Sequence, residues 1–183
     1  MIIEQENFLS VDECNALIAH AQPHFFKTTT MGKVIDGYRV ADGTWLSKDL
    51  PEVSKFRNMV SEYVSMPIEN MEGTHVVKYE IGGEYKTHHD FFHPGENYFE
   101  KEVRRGGQRS KSALVYLNDD FTGGETDFPK ISTTIKPQQG KLVVWDNLNP
   151  DGSLDYNSLH AGLPVLTGTK YIAVIWIREN KFV

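Results

Sequence analysis

Residues 74–91 read Thr-His-Val-Val-Lys-Tyr-Glu-Ile-Gly-Gly-Glu-Tyr-Lys-Thr-His-His-Asp-Phe. This stretch predicts a strand over 74–81, a turn at Gly82-Gly83 and a second strand over 85–91. Because side chains alternate between the two faces of a strand, His88 and Asp90 share one face and His89 points to the other. A distant histidine would complete two imidazoles and one carboxylate on one side of a metal. That facial set suits non-haem Fe(II) and leaves positions open for O₂ and a bidentate co-substrate.

The rest of the chain after residue 72 also has the sequence pattern of short strands separated by turn residues, such as Gly123-Gly124 and Pro150-Asp151-Gly152. Further candidate strands are 111–118, 131–136, 140–146, 157–162 and 170–178. So many short strands predict a barrel or a two-sheet jelly roll.

The first third of the chain is predicted to be helical. Ser10 and Glu13 form a capping box that starts one helix, and Pro23 ends it. A second helix is expected from about Pro51, with an apolar stripe at helical spacing, and 30–46 is expected to be a strand or hairpin. We therefore expect an α+β fold in one catalytic domain, 1–183: a helical support region, 1–70, packed outside a double-stranded β-helix (jelly-roll) core, 71–183.

Composition excludes several classes of protein. The 183 residues carry a net charge of −6, which argues against a nucleic-acid binder that depends on phosphate contacts. Cys14 is the single cysteine, so an intrachain disulfide and a cysteine-based zinc site are excluded. Neither a signal peptide nor an apolar run long enough to span a membrane is recognisable. We expect a soluble, cytoplasmic protein (in the host cytoplasm if it is viral) without a membrane partner.

Two residues far downstream complete the candidate centre. His160 lies among small residues in Ser158-Leu-His-Ala-Gly162, which would let a metal or ligand approach closely. Lys170 begins a strongly apolar strand, where a buried ammonium group needs a partner; the alternative is a lysine whose ammonium reaches solvent at the strand end. The irregular stretch 92–109 follows the first two candidate ligands and is read as a lid, with plain disorder as the alternative.

Together these residues resemble the prolyl 4-hydroxylases, which are Fe(II)/2-oxoglutarate-dependent dioxygenases, in the compact form of algal, bacterial and viral members. The resemblance covers the whole β-rich part of the chain in family order, whereas the helical first third matches only in general layout. The matching segments are 79–90, 106–109, 116–118, 123–129, 140–145, 151–155, 158–162 and 170–179.

The resemblance implies a role for each matching residue. His88, Asp90 and His160 look like the iron ligands. Lys170 looks like the cation that binds the distal carboxylate of 2-oxoglutarate, with Tyr79 beside it. Ser112 stands where the family commonly has a threonine that assists there.

The same resemblance implies contacts with a peptide substrate. Tyr85 and Trp176 occupy positions that line the peptide side in the relatives, and Arg104 or Arg105 would reach the peptide from the loop. For these four residues the alternative is barrel packing or a solvated charge.

The implied activity is hydroxylation of peptidyl proline at C4, with 2-oxoglutarate converted to succinate and CO₂. It requires Fe(II), 2-oxoglutarate, O₂ and ascorbate as reductant, and its partner is a proline-containing peptide or protein. Other readings stay open: the same chemistry on peptidyl lysine, free proline or a small molecule, or a non-catalytic metal- or sugar-binding jelly roll. A zinc hydrolase would need a general base beside the metal, and no carboxylate at a telling spacing offers one.

Overall fold

Strands make up most of the regular structure in the computed structural model, which describes residues 1–27 and 37–183. The strands are β1 (Ile2–Gln5), β2 (Phe26–Lys27), β3 (Asp42–Leu46), β4 (Thr74–Tyr79), β5 (Tyr85–His88), β6 (Arg109–Tyr116), β7 (Thr122–Gly123), β8 (Thr126–Phe128), β9 (Thr133–Ile135), β10 (Leu142–Asp146), β11 (His160–Gly162), β12 (Val165–Thr167) and β13 (Lys170–Arg178). The α-helices are α1 (Val11–Ala21), α2 (Pro51–Val64) and α3 (Phe99–Val103), and single 3₁₀ turns lie at Gln22–His24, Ile68–Asn70, Pro129–Ile131 and Tyr156–Ser158.

Two antiparallel sheets form the body of the protein. The larger has seven strands in the order β1-β10-β6-β13-β4-β3-β2, and the smaller has four in the order β5-β11-β8-β9. Side chains of both sheets meet in one buried cluster that includes Leu114, Phe128 and Ile135. The strands β7 and β12 pair separately at one end. The predicted α+β fold with a double-stranded β-helix core is confirmed.

The central strand β13 is buried on both faces, and its alternate side chains pack on opposite sides of the large sheet. Ile172, Val174 and Trp176 join the cluster between the two sheets, whereas Ala173 and Ile175 join the cluster under the helices. This alternation is the two-residue period of a strand buried on both sides. Lys170 has the same parity as Ile172, and therefore points between the sheets.

Helices α1 and α2 cover the outer face of the large sheet, as predicted. Ser10 caps α1: its hydroxyl accepts from the Glu13 amide, and the Glu13 carboxylate accepts from the Ser10 amide at 2.7 Å. Pro51 occupies the first turn of α2. The apolar faces of both helices pack on the sheet through Cys14, Leu17, Ala21, Val53, Phe56 and Val60. None of the helices in the described ranges is long and apolar enough to cross a membrane.

Several strands were not predicted from the sequence. These are β1, β2, β7, β8 and β12, each only two to four residues long, which is too short for a two-residue period to be recognised. As a result, region 1–70 contains three strands of the large sheet besides its two helices. The predicted strand or hairpin at 30–46 falls partly on residues 28–36, which lie outside the described residues, and its described part contains β3.

The stretch 92–109 is more regular than expected, because it contains α3. Its two ends are tied together by Gln108, whose side chain accepts from the Phe92 amide at 2.8 Å and donates to the Phe92 carbonyl at 2.7 Å. A lid function for this stretch stays a prediction.

The capping box gives a stability prediction. Ser10→Ala leaves the Glu13 amide without its cap, and we expect the free energy of unfolding to fall by about 1 kcal/mol. Urea denaturation followed by circular dichroism measures this change. Asn15→Ala, on the exposed side of the same helix, is the control and should cause no loss, because alanine is the better helix former. Equal stability of Ser10→Ala and the unmodified chain would contradict the assigned cap.

Candidate active site

The structure brings His88, Asp90 and His160 together. His88 ends β5 and faces His160 at the start of β11, since the two residues are register partners in this antiparallel pair. His88 Nε2 lies 3.6 Å from Asp90 Oδ1, and His160 Nε2 lies 3.7 Å from Asp90 Oδ2. The ligand atoms of all three residues lie within 4.8 Å of one another.

Backbone carbonyls orient both imidazoles. The Nδ1 of His88 lies 2.7 Å from the Lys86 carbonyl oxygen, and the Nδ1 of His160 lies 2.8 Å from that of Ser158. Because a carbonyl only accepts, each Nδ1 carries the hydrogen and each Nε2 keeps a lone pair for a metal. Two such imidazoles and one carboxylate are the donor set of non-haem Fe(II) centres, so these residues fit that ion.

The environment keeps His88 and Asp90 in metal-binding protonation states. Burial lowers the pKa of His88 to about 3, and the neighbouring His160 contributes, so the His88 imidazole is neutral. For Asp90, burial opposes ionisation, but the pKa is still lowered to about 2, with the Arg109 charge and the Ser112 hydroxyl favouring the carboxylate. A neutral imidazole and an ionised carboxylate are the forms that bind a metal.

Ser112 contacts Asp90, one of the candidate metal ligands, whereas the family resemblance implied a role beside the co-substrate. Its hydroxyl donates to Asp90 Oδ2 at 2.6 Å and accepts from the side-chain amide of Asn147 at 2.9 Å. The reason is the register: Ser112 lies opposite Trp176 on β13, six residues along from Lys170. This serine therefore fixes the orientation of the carboxylate.

Lys170 is buried at the other end of the same space. Its residue is 2 % exposed, which excludes the alternative of an ammonium group in solvent. Nζ donates to the Gly124 carbonyl at 2.6 Å and lies 5.0 Å from the ring centroid of Tyr79, its register partner on β4. Burial lowers the pKa of Lys170 to about 7, although Glu125 opposes the shift.

Gly124 belongs to this site through its backbone. The sequence indicated only a structural turn at Gly123-Gly124, yet the Gly124 carbonyl is the hydrogen-bond acceptor of Lys170. Gly124 has a φ of +68°, and a Cβ atom here would lie 3.0 Å from Lys170 Cδ. Glycine is required both for this backbone conformation and for the close approach of the lysine stem.

One cavity connects Lys170 with the three candidate ligands. Tyr79, Thr126 and Trp145 are among its lining residues. It adjoins an outer cleft of about 840 Å³, and the residues common to both are Arg39, Tyr85, His88, Asp90 and Trp176. A small molecule held by Lys170 can thus reach the candidate metal ligands from inside, and a larger one can reach them from the cleft.

The four predicted substrate contacts differ in their position: the two aromatic residues lie where the cavity meets the cleft, and the two arginines do not. Tyr85 and Trp176 line both the cavity and the cleft. Arg105 lines the cleft, but its guanidinium group is held by Glu102 and by the Val183 carbonyl. Arg104 is exposed and, among the described residues, is not part of the cleft wall.

Sequence reasoning missed an ionic network under the cleft. Glu72 accepts two hydrogen bonds from Arg109, at 2.7 and 2.8 Å, and lies 2.7 Å from Arg178 Nε. Arg109 stacks on Trp176, with 3.9 Å between its guanidinium carbon and the ring centroid. It also approaches the Asp90 carbonyl at 3.4 Å. The one available signal was Arg109 itself, which ends the matching segment 106–109.

Two other histidines near the site have different surroundings. His89 turns away from His88 and Asp90, as predicted, and stacks on Phe91 with its Nε2 3.3 Å from the Tyr156 carbonyl. His93 lies against Phe91 and His89 in the cleft wall.

The proteins to which this chain is similar agree with the geometry of the candidate site. Residues 74–178 match the model of the 2OG-Fe(II) oxygenase superfamily. The chain is 34 % identical to probable prolyl 4-hydroxylase 8 of Arabidopsis thaliana, over 96 % of this chain and 68 % of that protein. It is 32 % identical to a putative prolyl 4-hydroxylase of Acanthamoeba polyphaga mimivirus, over 96 % and 73 %.

A solved structure is similar as well. The viral collagen prolyl hydroxylase of Paramecium Bursaria Chlorella virus-1, in its 2OG complex, superimposes with a TM-score of 0.77 at 30 % identity. The match covers 97 % of this chain and 94 % of that one.

The contact between Ser112 and Asp90 can be tested by metal binding. We expect Ser112→Ala to weaken binding of Mn(II), a redox-stable substitute for Fe(II), by roughly tenfold to a hundredfold, because the carboxylate loses the group that orients it. Isothermal titration calorimetry measures the affinity. Ser110→Ala on the same strand, whose hydroxyl bonds the Ile177 carbonyl, is the matched control. Equal loss in both variants would show that the effect is not specific to Asp90.

Proposed function

This chain belongs to the 2OG-Fe(II) oxygenase superfamily and, within it, to the prolyl 4-hydroxylases, and from that premise we propose that it hydroxylates peptidyl proline at C4. The chain is a 2-oxoglutarate-dependent dioxygenase. One observation supports the proposal most: His88, Asp90, His160 and Lys170 line a single cavity that adjoins an aromatic cleft. Related proteins named as prolyl hydroxylases supply the substrate class.

In this proposal the residues of the cavity hold the metal and the co-substrate. His88, Asp90 and His160 hold Fe(II) through two Nε2 atoms and a carboxylate, and Lys170 binds the distal carboxylate of 2-oxoglutarate. Iron, 2-oxoglutarate and O₂ supply the oxidising chemistry, with succinate and CO₂ as co-products and ascorbate proposed as the reductant. The chain supplies orientation: Ser112 fixes Asp90, and the two carbonyl-bound Nδ1 atoms fix the imidazoles.

The low polarity around Lys170 strengthens its proposed role. Its ammonium group lies between the rings of Tyr79 and Tyr116, at 5.0 and 5.5 Å from their centroids. A charge-assisted hydrogen bond in such surroundings is stronger than the same bond in water. Within the described residues the Gly124 carbonyl is the hydrogen-bond acceptor of Nζ, and an ammonium group has three donors, so capacity remains for a carboxylate.

The volume and aromatic lining of the cleft favour a peptide over a small molecule as the substrate. It holds about 840 Å³ and is lined by aromatic side chains, including Tyr85 and Trp176, at its junction with the cavity. Proline-rich segments adopt the extended polyproline II conformation and are recognised in aromatic-lined grooves. A cytoplasmic location for the reaction stays a proposal.

The Lys170 assignment predicts a specific pH dependence. Its pKa of about 7 lies below the ordinary value, so the free protein loses the ammonium charge as pH rises past 7. Because 2-oxoglutarate binding needs that charge, affinity should fall between pH 7 and 9, by up to about tenfold per pH unit. Lys170→Met should bind 2-oxoglutarate roughly ten to a hundred times more weakly, with a flatter pH profile.

Titration of the Mn(II)-loaded protein with 2-oxoglutarate at several pH values measures both effects. Lys141→Met is the control, since Lys141 is also a largely buried lysine but is held by Glu4. Unchanged 2-oxoglutarate affinity in Lys170→Met would remove Lys170 from the site.

The proposed substrate is tested by direct turnover. The Fe(II)-loaded protein, supplied with 2-oxoglutarate and ascorbate, should add one oxygen to C4 of a proline in proline-rich peptides and release an equal amount of succinate. Mass spectrometry locates the oxygen, and Asp90→Ala should reduce the product to background. Lysine-containing peptides, free proline and proline-free peptides are tested in parallel. Turnover of one of these, with the proline-rich peptides inert, would replace the proposed substrate.

A further inference from the structure

An aromatic surface continues the cleft away from the candidate metal ligands. Trp45 on β3 lines the outer cleft but not the inner cavity, whereas Trp176 lines both. The two ring centroids lie 6.1 Å apart. Trp45 is 50 % exposed, an unusual state for tryptophan, which is highly buried on average.

The exposed indole is held in a fixed pose. His75, its register partner on β4, stacks under it with the ring centroids 4.5 Å apart and the planes inclined by 19°. His75 is itself buried, which lowers its pKa to about 3 and keeps the ring neutral and suited to stacking. At its edge, Trp45 lies over Gly73, where a Cβ atom would meet the indole at 2.9 Å.

Among the described residues, Phe26 extends this surface. Phe26 on β2 is register partner of Gly43, two residues before Trp45, so Phe26 and Trp45 lie on the same face of the sheet. Phe26 is also largely exposed and lines the same cleft.

We propose that Trp45, supported by His75 and Gly73, is a second proline-binding position of the substrate cleft. This inference rests on the proposed function and adds to it a requirement on the substrate sequence. In a polyproline II helix, residues three positions apart return to the same face. A peptide with its target proline beside Tyr85 and Trp176 therefore presents a second proline, one turn away, to the exposed face of Trp45. A rigid aromatic side chain binds such a ring at a small entropic cost.

The test uses peptides with one target proline and a second proline at each position from four residues before to four residues after it. We expect kcat/KM of the unmodified enzyme to rise roughly three- to tenfold when the second proline is three residues away on one side. Trp45→Ala should abolish this gain by raising KM while kcat stays unchanged, because uniform binding energy is lost. Trp45→Phe should restore part of it.

Two controls make the result specific. For peptides with only the target proline, Trp45→Ala should lower kcat/KM less than it does for peptides with two prolines. Val11→Ala, an exposed apolar residue on α1 outside the cleft, should keep the full preference.

Failure of this inference is distinguishable from failure of the proposed function. If single-proline peptides are hydroxylated but the second proline has no effect, or Trp45→Ala retains the preference, the second position is refuted and the activity stands. Equal turnover with leucine in place of the second proline would refute its assignment to proline. Absence of hydroxylation in every peptide would overturn both.

Discussion

Two opposite charges buried in one narrow space between the sheets constrain the rest of the structure. The Asp90 side chain is 6 % exposed and Lys170 is 2 % exposed, and each would cost several kcal/mol if left unpaired. The protein stabilises Asp90 with the Ser112 hydroxyl, and it gives Lys170 the Gly124 carbonyl. Both charges retain capacity for further ligands, which a metal ion and a dicarboxylate co-substrate would use.

The site and the hydrophobic core are consequences of the same strand alternation. On β13, Lys170 and Trp176 point between the sheets, while Ala173 and Ile175 pack under the helices. A slip of one residue in the register would therefore exchange site and core together. Helices α1 and α2 contribute no residue to the site, but they support it indirectly. They bury the opposite face of the strands that carry the site residues.

The sequence predicted most of the architecture, and the reasons are local. The capping box at Ser10 and the proline at the start of α2 act within a few residues, and the longer strands have a recognisable period. Strands β7 and β8 were not predicted, since they flank Gly123-Gly124, which reads as a turn, and are ordered by their partners. The contact of Ser112 with Asp90 could not be predicted for a similar reason, since it depends on the register between distant strands.

By itself the sequence indicated the chemistry, because His88 and Asp90 are two residues apart and a strand over 85–91 would put them on one face. In the structure β5 ends at His88, and Asp90 follows just beyond it. Tertiary structure decided everything that depends on distant partners. It brought His160 opposite His88, supplied Gly124 as the partner of Lys170, and tied Arg109 to Glu72 beneath the cleft. It also left Trp45 exposed over His75. These contacts join segments far apart in the chain, and their distances are fixed by sheet pairing, which no local pattern encodes.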